Sequence, residues 1–433
     1  MTPFIVGVIL FSTLGVLIAV RVPVAFALGL ACVPVFFLDE RMTPMLLAYE
    51  MFKSYNSFVI LAVPFFLLAA NLMNQAGITD RLIRLAQTMV GRFPGGLGHV
   101  NVIVSMLFAG ISGSSNADAA GIGSILIPAM KKQGYGTAFT VAITACSAVM
   151  GVIIPPSILM VVWGGLMSVS IGALFLAGVI PGVLIALSQM ALVMIYSKIH
   201  NYPIYEKNSF MDFIRALTGA ALALMTPLII VGGIVGGLFT PTEASVVAVL
   251  YALVIGIFVY RSITPKNLYK VLYDSARFAA IALFCVGTAS AFGWMLAYFK
   301  IPSAIIEIMA SWGAGTLVTG FIVAGAFLFI GMFIDAIPAM IIVGTVLAPV
   351  AEHAGIHPVH FAIIGVISLA FGLVTPPYGL CLLISCHIGK IKLINAMREV
   401  IIVLVPMLCV LTFVVMFPEI IMFLPKLFMG KFL

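Results

Sequence analysis

The chain contains little charge. Only 8% of its 433 residues are Asp, Glu, Lys or Arg, whereas 63% are hydrophobic. A soluble protein of this length needs far more charge to cover its surface, so the composition excludes a large soluble domain with a buried core. Apolar runs of about 20 residues recur along the sequence, and an α-helix of that length crosses a bilayer. The composition therefore predicts an all-α polytopic membrane protein surrounded by lipid.

Several motifs that carry chemistry are also missing. No loop of the form GxxxxGK[ST] is present, which argues against direct coupling to ATP. The six cysteines form neither a CxxC motif nor a Cys/His cluster, so we expect small buried hydrophobes rather than disulfides or zinc ligands. No nucleophile stands beside a base, and we therefore do not expect an enzyme.

The few basic residues predict the orientation of the chain. The formal net charge is +7, but Lys and Arg stand in short loops between apolar runs, so nucleic acid is not an expected partner. If the runs cross alternately, sixteen of these residues lie on one side and five on the other. The richer side is cytoplasmic by the positive-inside rule, which puts both termini outside the cytoplasm. The first apolar stretch has no signal-peptide features and is expected to be retained.

Two parts of the sequence match each other at a fixed offset of 221 residues. Between residues 107–156 and 328–377, twelve of fifty positions are identical without a gap, and the matches include glycines and both Pro-Pro pairs of the chain. Each copy interrupts an apolar run with polar residues and helix breakers. A duplicated, interrupted unit in a membrane protein is typical of a transporter site built from two repeats.

Each interrupted segment of roughly 35 residues is better explained as a helical hairpin than as one long span. Lys131 and Lys132 follow the first hairpin on the cytoplasmic side, whereas the second ends on the opposite side. We therefore predict inverted repeats with two re-entrant helical hairpins. The halves are 1–205 and 206–433, each with an amphipathic helix, at 78–92 and 301–312. The predicted transport region comprises approximately residues 95–165 and 315–390, and the remainder is scaffold.

The hairpin tips carry the candidate chemistry. The first tip, Ser112-Gly113-Ser114-Ser115-Asn116, offers neutral oxygens, and the Pro-Pro break after Gly151 frees backbone carbonyls. Such oxygens suit Na+ better than a transition metal, and half-helix N-termini favour an anionic substrate. The second copy has a similar set of residues at its tip and break, namely Gly331, Asp335, Gly372 and Thr375. The same small residues and prolines also have a purely structural interpretation, as helix packing and kinks.

Three acidic residues lie deep in apolar sequence and are functional candidates because burying a carboxylate is costly. Asp118 and Asp335 stand at the two tips, where each either binds a ligand or caps a half-helix. Glu243 follows Thr240 and Pro241, which is typical of a helix N-terminus, so we interpret it as structural.

At these residues the chain resembles the large membrane subunit of the tripartite ATP-independent periplasmic (TRAP) transporters. The matching motifs are GISGSSNADAAGIGSILIPAMKKQGY, GVIIPPSI, GLFTPTEAS and GLVTPPYG, and the resemblance covers essentially the whole chain. It implies an elevator-type transporter in the bacterial inner membrane, driven by Na+. It also implies a separate four-helix small membrane subunit and a periplasmic binding protein that delivers an organic acid such as a C4-dicarboxylate or sialic acid.

The resemblance and the chemistry of the tips together single out individual residues. The Na+ candidates at the first tip are Ser112, Ser114, Ser115, Asn116, Gly151, Ile154 and Pro156. The Na+ candidates at the second tip are Gly331, Asp335, Gly372, Thr375 and Tyr378. The substrate candidates are Asn116, Asp118, Asp335, Pro156 and Pro377.

Other functions stay open on the sequence alone. A stand-alone Na+-coupled anion or dicarboxylate carrier has similar hairpins but no partners. An ion channel is a different class, against which the duplicated hairpins and the lack of a ring-forming filter motif argue.

Overall fold

The computed structural model describes residues 3–39, 41–203, 209–311 and 315–430. Throughout these ranges the secondary structure is helical, without a β-strand. Within them, six helices are long and apolar enough to cross a membrane, or seven if one sharply bent pair counts as a single span. The predicted all-α polytopic class is confirmed.

The first half of the chain contains eleven α-helices within the described ranges. They are α1 Pro3–Ala19, α2 Val24–Ala31, α3 Val33–Leu38, α4 Pro44–Tyr55, α5 Ala62–Gln75, α6 Ile78–Val90, α7 Gly96–Ser112, α8 Ser115–Lys132, α9 Thr137–Ala148, α10 Ile158–Met167 and α11 Ile171–His200. A short 3₁₀ turn, Val149–Val152, continues α9.

The second half has a matching succession of helices. They are α12 Phe210–Val235, α13 Pro241–Val254, α14 Pro265–Tyr298, α15 Ile301–Ser311, α16 Thr316–Gly331, α17 Ala336–His353, α18 Pro358–Gly372, α19 Leu380–Gly389, α20 Leu393–Met416, α21 Pro418–Ile421 and α22 Phe423–Met429. A π-helical turn, Ile255–Val259, extends α13. The predicted boundary at 205/206 lies outside the described residues, as does Trp312 at the end of the second amphipathic segment.

Local capping signals explain where several helices begin. Helix α13 starts at Pro241, whose fixed φ suits the first helical position. The Thr240 side chain accepts a hydrogen bond from the Glu243 amide (3.3 Å), and the Glu243 carboxylate accepts one from the Thr240 amide (2.8 Å). This reciprocal pair is a capping box, so Glu243 has the structural role that its sequence context predicts.

The amphipathic segment of the first half forms a helix as predicted. Helix α6 bends away from α5 by 69°. Its apolar residues, including Leu82 and Ala86, are buried, while Asp80 and Arg84 are exposed. Its position at the membrane interface stays a prediction.

The duplication is visible in the helix boundaries. Helices α17 and α18 begin 221 residues after α8 and α9, whereas α19 and α20 begin 222 residues after α10 and α11. The second copy therefore has one extra residue after its Pro-Pro pair. In each copy, two helices joined by a short turn pack against each other, α7 on α8 and α16 on α17. The inverted sense of the repeats and their re-entry into the bilayer stay predictions.

The two copies exchange helices across the centre of the molecule. Helix α19 packs against α8 and α9 of the first copy, and α10 packs against α17 and α18 of the second. Trp163 on α10, for example, lies between the rings of Phe327 and Phe361, with ring centroids 5.5 and 5.6 Å away. In each copy, the helix that follows the Pro-Pro break therefore packs against helices of the other copy.

A buried polar network joins α7 to α9. The Asn101 side chain donates a hydrogen bond to Thr144 Oγ1 (2.7 Å) and accepts one from the Ser147 hydroxyl (3.1 Å). Ser147 Oγ also lies 2.9 Å from Ser105 Oγ. All four side chains are fully buried and out of reach of water. The hydrogen bonds among them therefore satisfy polar groups that would otherwise have no partner.

We expect Asn101→Leu to lower the free energy of unfolding by about 1 kcal/mol, because it removes two hydrogen bonds but leaves apolar bulk. Thermal or denaturant unfolding in mild detergent measures the loss. The control is Thr218→Val on the exposed face of α12. Equal stability of the two variants would contradict the prediction.

Candidate functional site

The first hairpin tip docks directly on the first break. Gly113, between α7 and α8, has a φ of +63°, a conformation that favours glycine. A Cβ at this position would lie 2.8 Å from the carbonyl oxygen of Pro156. The Ile158 amide donates a hydrogen bond to the Gly113 carbonyl (3.2 Å). The turn and the Pro-Pro segment are therefore in backbone contact.

Gly151 closes the other side of this contact. A Cβ on Gly151 would lie 2.9 Å from backbone atoms of Ser114 and Ser115, and 2.5 Å from Oδ2 of Asp118. The Ser115 hydroxyl donates a hydrogen bond to the Val149 carbonyl (3.2 Å). The tip and the 3₁₀ turn thus approach so closely that a side chain has no room between them.

Asp118 accepts a hydrogen bond from Ser112 and does not cap α8. Ser114 occupies the N-cap position of that helix, although its side chain makes no capping hydrogen bond. The Ser112 hydroxyl donates to Oδ1 of Asp118 and accepts a hydrogen bond from the Ser114 amide (3.3 Å). Ser112 and Asp118 are buried, with exposures of 3% and 0%. The capping explanation for Asp118 is therefore wrong.

The second tip is closed by two glycines in contact. Gly331 ends α16 and Gly372 ends α18. A Cβ on Gly372 would lie 2.5–2.8 Å from three backbone atoms of Gly331. The Thr375 hydroxyl donates to the Phe371 carbonyl (2.7 Å), and the Tyr378 amide donates to the carbonyl of Met332 (2.9 Å). The backbone at Gly331, Gly372 and Tyr378 of the predicted second tip is thus brought together.

The second tip is more open than the first. Asp335 occupies the N-cap position of α17 and is half-buried, without a side-chain capping bond to the turn that follows. Pro377 is exposed, and so is Tyr378 (39%), whereas Pro156 in the first copy is buried. In the first copy Ser157 caps α10 by accepting a hydrogen bond from the Met160 amide (3.3 Å), whereas Tyr378 stands at the matching position of the second copy.

A side-chain contact joins the two copies. The Cys381 thiol, in the first turn of α19, donates a hydrogen bond to Oδ1 of Asn116 in the first turn of α8 (Sγ–Oδ1 3.3 Å). Cys381 is fully buried. Sequence reasoning missed this residue because a lone cysteine in an apolar run resembles a packing residue. The cap at Ser157, by contrast, was detectable from a serine next to a Pro-Pro pair.

Some candidates lie apart from these contacts. The Ile154 side chain packs against Gly182 of α11, so only its backbone remains a candidate ligand. His357 caps α18, and His360 lies within α18, where its Nε2 is 2.8 Å from the Val414 carbonyl oxygen. No group of three or more His, Cys, Asp or Glu in the described ranges is arranged to hold a metal ion.

The sequence matches known proteins over almost its whole length. The family model "Tripartite ATP-independent periplasmic transporter, DctM component" matches residues 11–420. The chain is 37% identical to the sialic acid TRAP transporter large permease protein SiaM of Vibrio cholerae, over 97% of this chain and 98% of that one. It is 33% identical to the C4-dicarboxylate large permease protein DctM of the same organism, over 98% of both chains.

A solved structure shares the fold. The YdaH transporter of Alcanivorax borkumensis superposes with a TM-score of 0.59 over 86% of this chain and 87% of that one, at 13% sequence identity. At 13% sequence identity, the similarity shows a shared fold and no more.

The glycine contacts yield a prediction about stability. We expect Gly372→Ala and Gly151→Ala each to destabilise the protein by about 1–3 kcal/mol, because the added methyl group forces backbone atoms apart. The control is Gly325→Ala in α16, where a Cβ meets no atom within 4 Å. Thermal midpoints measure the effect. Wild-type stability in both test variants would show that the tips are not closely packed.

Proposed function

This chain belongs to the DctM component family of the tripartite ATP-independent periplasmic transporters, and on that premise we propose that it is the membrane transport subunit of a Na+-coupled importer of a small organic acid. The observation that carries the proposal is the pair of glycine-closed tips, each of which gathers oxygen atoms where a helix is broken. Such interruptions line ion and substrate sites in secondary transporters.

The donor set supports Na+ as the coupling ion. At the first tip, the hydroxyl of Ser112 and the backbone around Gly151 and Pro156 lie together. At the second, the backbone of Gly331 and Gly372 meets that of the Thr375 segment. Hydroxyl, carbonyl and carboxylate oxygens are ligands for hard cations rather than for transition metals. We propose one Na+ at each tip.

The substrate is proposed to be an anion that binds between the copies. The first turns of α8 and α19 meet at Asn116 and Cys381, and neither helix has a side-chain cap, so each presents the positive end of its dipole to this region. Asp335 and the exposed Pro377 border the same region and contribute to recognition. The names of the relatives make sialic acid or a C4-dicarboxylate the first acids to test.

The family premise also supplies the partners and the cycle. We propose that a small membrane subunit supports the scaffold and that a periplasmic binding protein delivers the acid, in the bacterial inner membrane. Na+ orders the tips, the acid binds between them, and the region of the hairpins then moves across the scaffold as an elevator.

Uptake into proteoliposomes tests this function. The chain is reconstituted with its small subunit, and entry of sialic acid or a C4-dicarboxylate is measured with and without the binding protein, under an imposed Na+ gradient. We expect uptake to need both the gradient and the binding protein. Ser112→Ala and Thr375→Ala should raise the half-saturating Na+ concentration by about tenfold or more, because each loses a candidate ligand or its support.

Two matched controls lie outside the tips. Ser124→Ala removes an exposed serine of α8, and Thr412→Ala removes a threonine of α20 that bonds its own helix as Thr375 does. Both should behave as wild type. Uptake that ignores Na+ would rule out the coupling ion, and uptake that ignores the binding protein would favour a stand-alone carrier.

A further inference from the structure

Three arginines from separate parts of the chain are brought together around the side chain of Tyr260. The guanidinium of Arg81, on α6, lies over the Tyr260 ring, 3.8 Å from its centroid. The hydroxyl of the same tyrosine donates a hydrogen bond to the Gly219 carbonyl of α12 (3.4 Å). Arg215 stands one turn before Gly219, about 6 Å along the axis of α12, and Arg261 directly follows Tyr260. Arg81, Arg215 and Arg261 form the arginine cluster.

The turn that carries Arg261 has a defined backbone. Beyond the π-helical end of α13, the chain folds back, and the amides of Ser262 and Ile263 both donate to the Gly256 carbonyl (3.0 and 3.2 Å). The Ile263 side chain fills the space that a Cβ on Gly256 would need. Arg261 lies exposed in this turn with a φ of +50°. The backbone therefore holds the charge of Arg261 beside Tyr260.

No carboxylate of the described ranges forms an ion pair with the arginine cluster. The ion pairs found there lie elsewhere, at Arg41 and Lys53. Asp80, on α6, is exposed and belongs to neither of them. Asp212, on α12, caps its own helix by accepting a hydrogen bond from the Ser209 amide (3.1 Å). Like charges held close together repel, so the cluster favours an anion between them.

Open space and an exposed apolar face adjoin the cluster. A Cβ on Gly219 would meet no atom within 4 Å. Farther along the same face of α12, Leu222 and Met225 are exposed by 36% and 44%. They lie about 10 and 15 Å from Arg215 along the helix axis. A cationic end followed by exposed apolar side chains on a membrane helix matches a ligand with an anionic head and hydrocarbon tails.

We propose that the arginine cluster binds the headgroup of an anionic phospholipid. The headgroup phosphate accepts hydrogen bonds from the guanidinium groups, whose planar fork suits phosphate oxygens, and the acyl chains lie along the exposed face of α12. Tyr260 keeps Arg81 in place through its ring. A bound lipid therefore bridges α6, α12 and the turn after α13. The assignment goes beyond the proposed function and depends on neither the coupling ion nor the transported acid.

Equilibrium binding of radiolabelled phosphatidylglycerol to the purified full chain in detergent micelles tests the site. The wild type should bind this anionic lipid more tightly than zwitterionic phosphatidylcholine. We expect Arg81→Gln/Arg215→Gln to weaken phosphatidylglycerol binding about 25-fold, since each arginine near a lipid surface contributes a factor of about five. The charge-matched control is Arg92→Gln/Arg398→Gln, which removes two exposed arginines outside the cluster and should bind as the wild type does.

The other outcomes would overturn the proposal. Equal binding of the two lipids, or an equal loss in the control, would show nonspecific attraction. Inorganic phosphate that binds alone with the same affinity and the same loss in the double variant would assign the cluster to a free anion. Lipid binding that disappears when the small subunit is added would assign it to a protein interface. If the double variant does not fold, Arg261→Gln in the exposed turn decides: binding should weaken about fivefold, and unchanged binding overturns the proposal.

Discussion

A helix that is interrupted within a membrane protein leaves backbone amides and carbonyls without partners, and the centre of this molecule depends on where those groups are satisfied. Here the interruption of one helix bonds the turn of a hairpin, through the amide of Ile158 in the first copy and that of Tyr378 in the second. Backbone can bond backbone at this range only if no side chain intervenes. The positions of Gly113, Gly151 and Gly372 follow from that requirement, and so does the clustering of oxygens at the tips.

Much of this arrangement could be predicted because its signals are local. Glycines and Pro-Pro pairs predict the turns and breaks, and Thr240 with Glu243 predicts a helix cap. Each of these signals determines the backbone only within a few residues of its own position. The exchange of α10 and α19 between the copies could not be predicted, since it depends on packing between distant segments. The contact of Asn116 with Cys381 joins residues 265 apart.

The two copies share their backbone arrangement but differ in the side chains at their tips. Helix starts correspond, and so do the closing glycines Gly151 and Gly372, but Ser112 and Asp118 correspond to Phe333 and Ala339. The serine cap of the first break is replaced by a longer segment that leaves Tyr378 exposed. A fully buried tip with a carboxylate is suited to an ion that sheds its water. An open tip is suited to a ligand that enters from outside.

The side-chain contact between the two copies is a weak one. The first turns of α8 and α19 meet through the Cys381 thiol, and a thiol is a weak donor. A buried ion pair at this place would hold the copies together at a cost of several kcal/mol on separation. A thiol leaves no charge behind when the contact opens, so the cost of separation is small. The contact therefore joins Asn116 to the start of α19 without locking the two copies together.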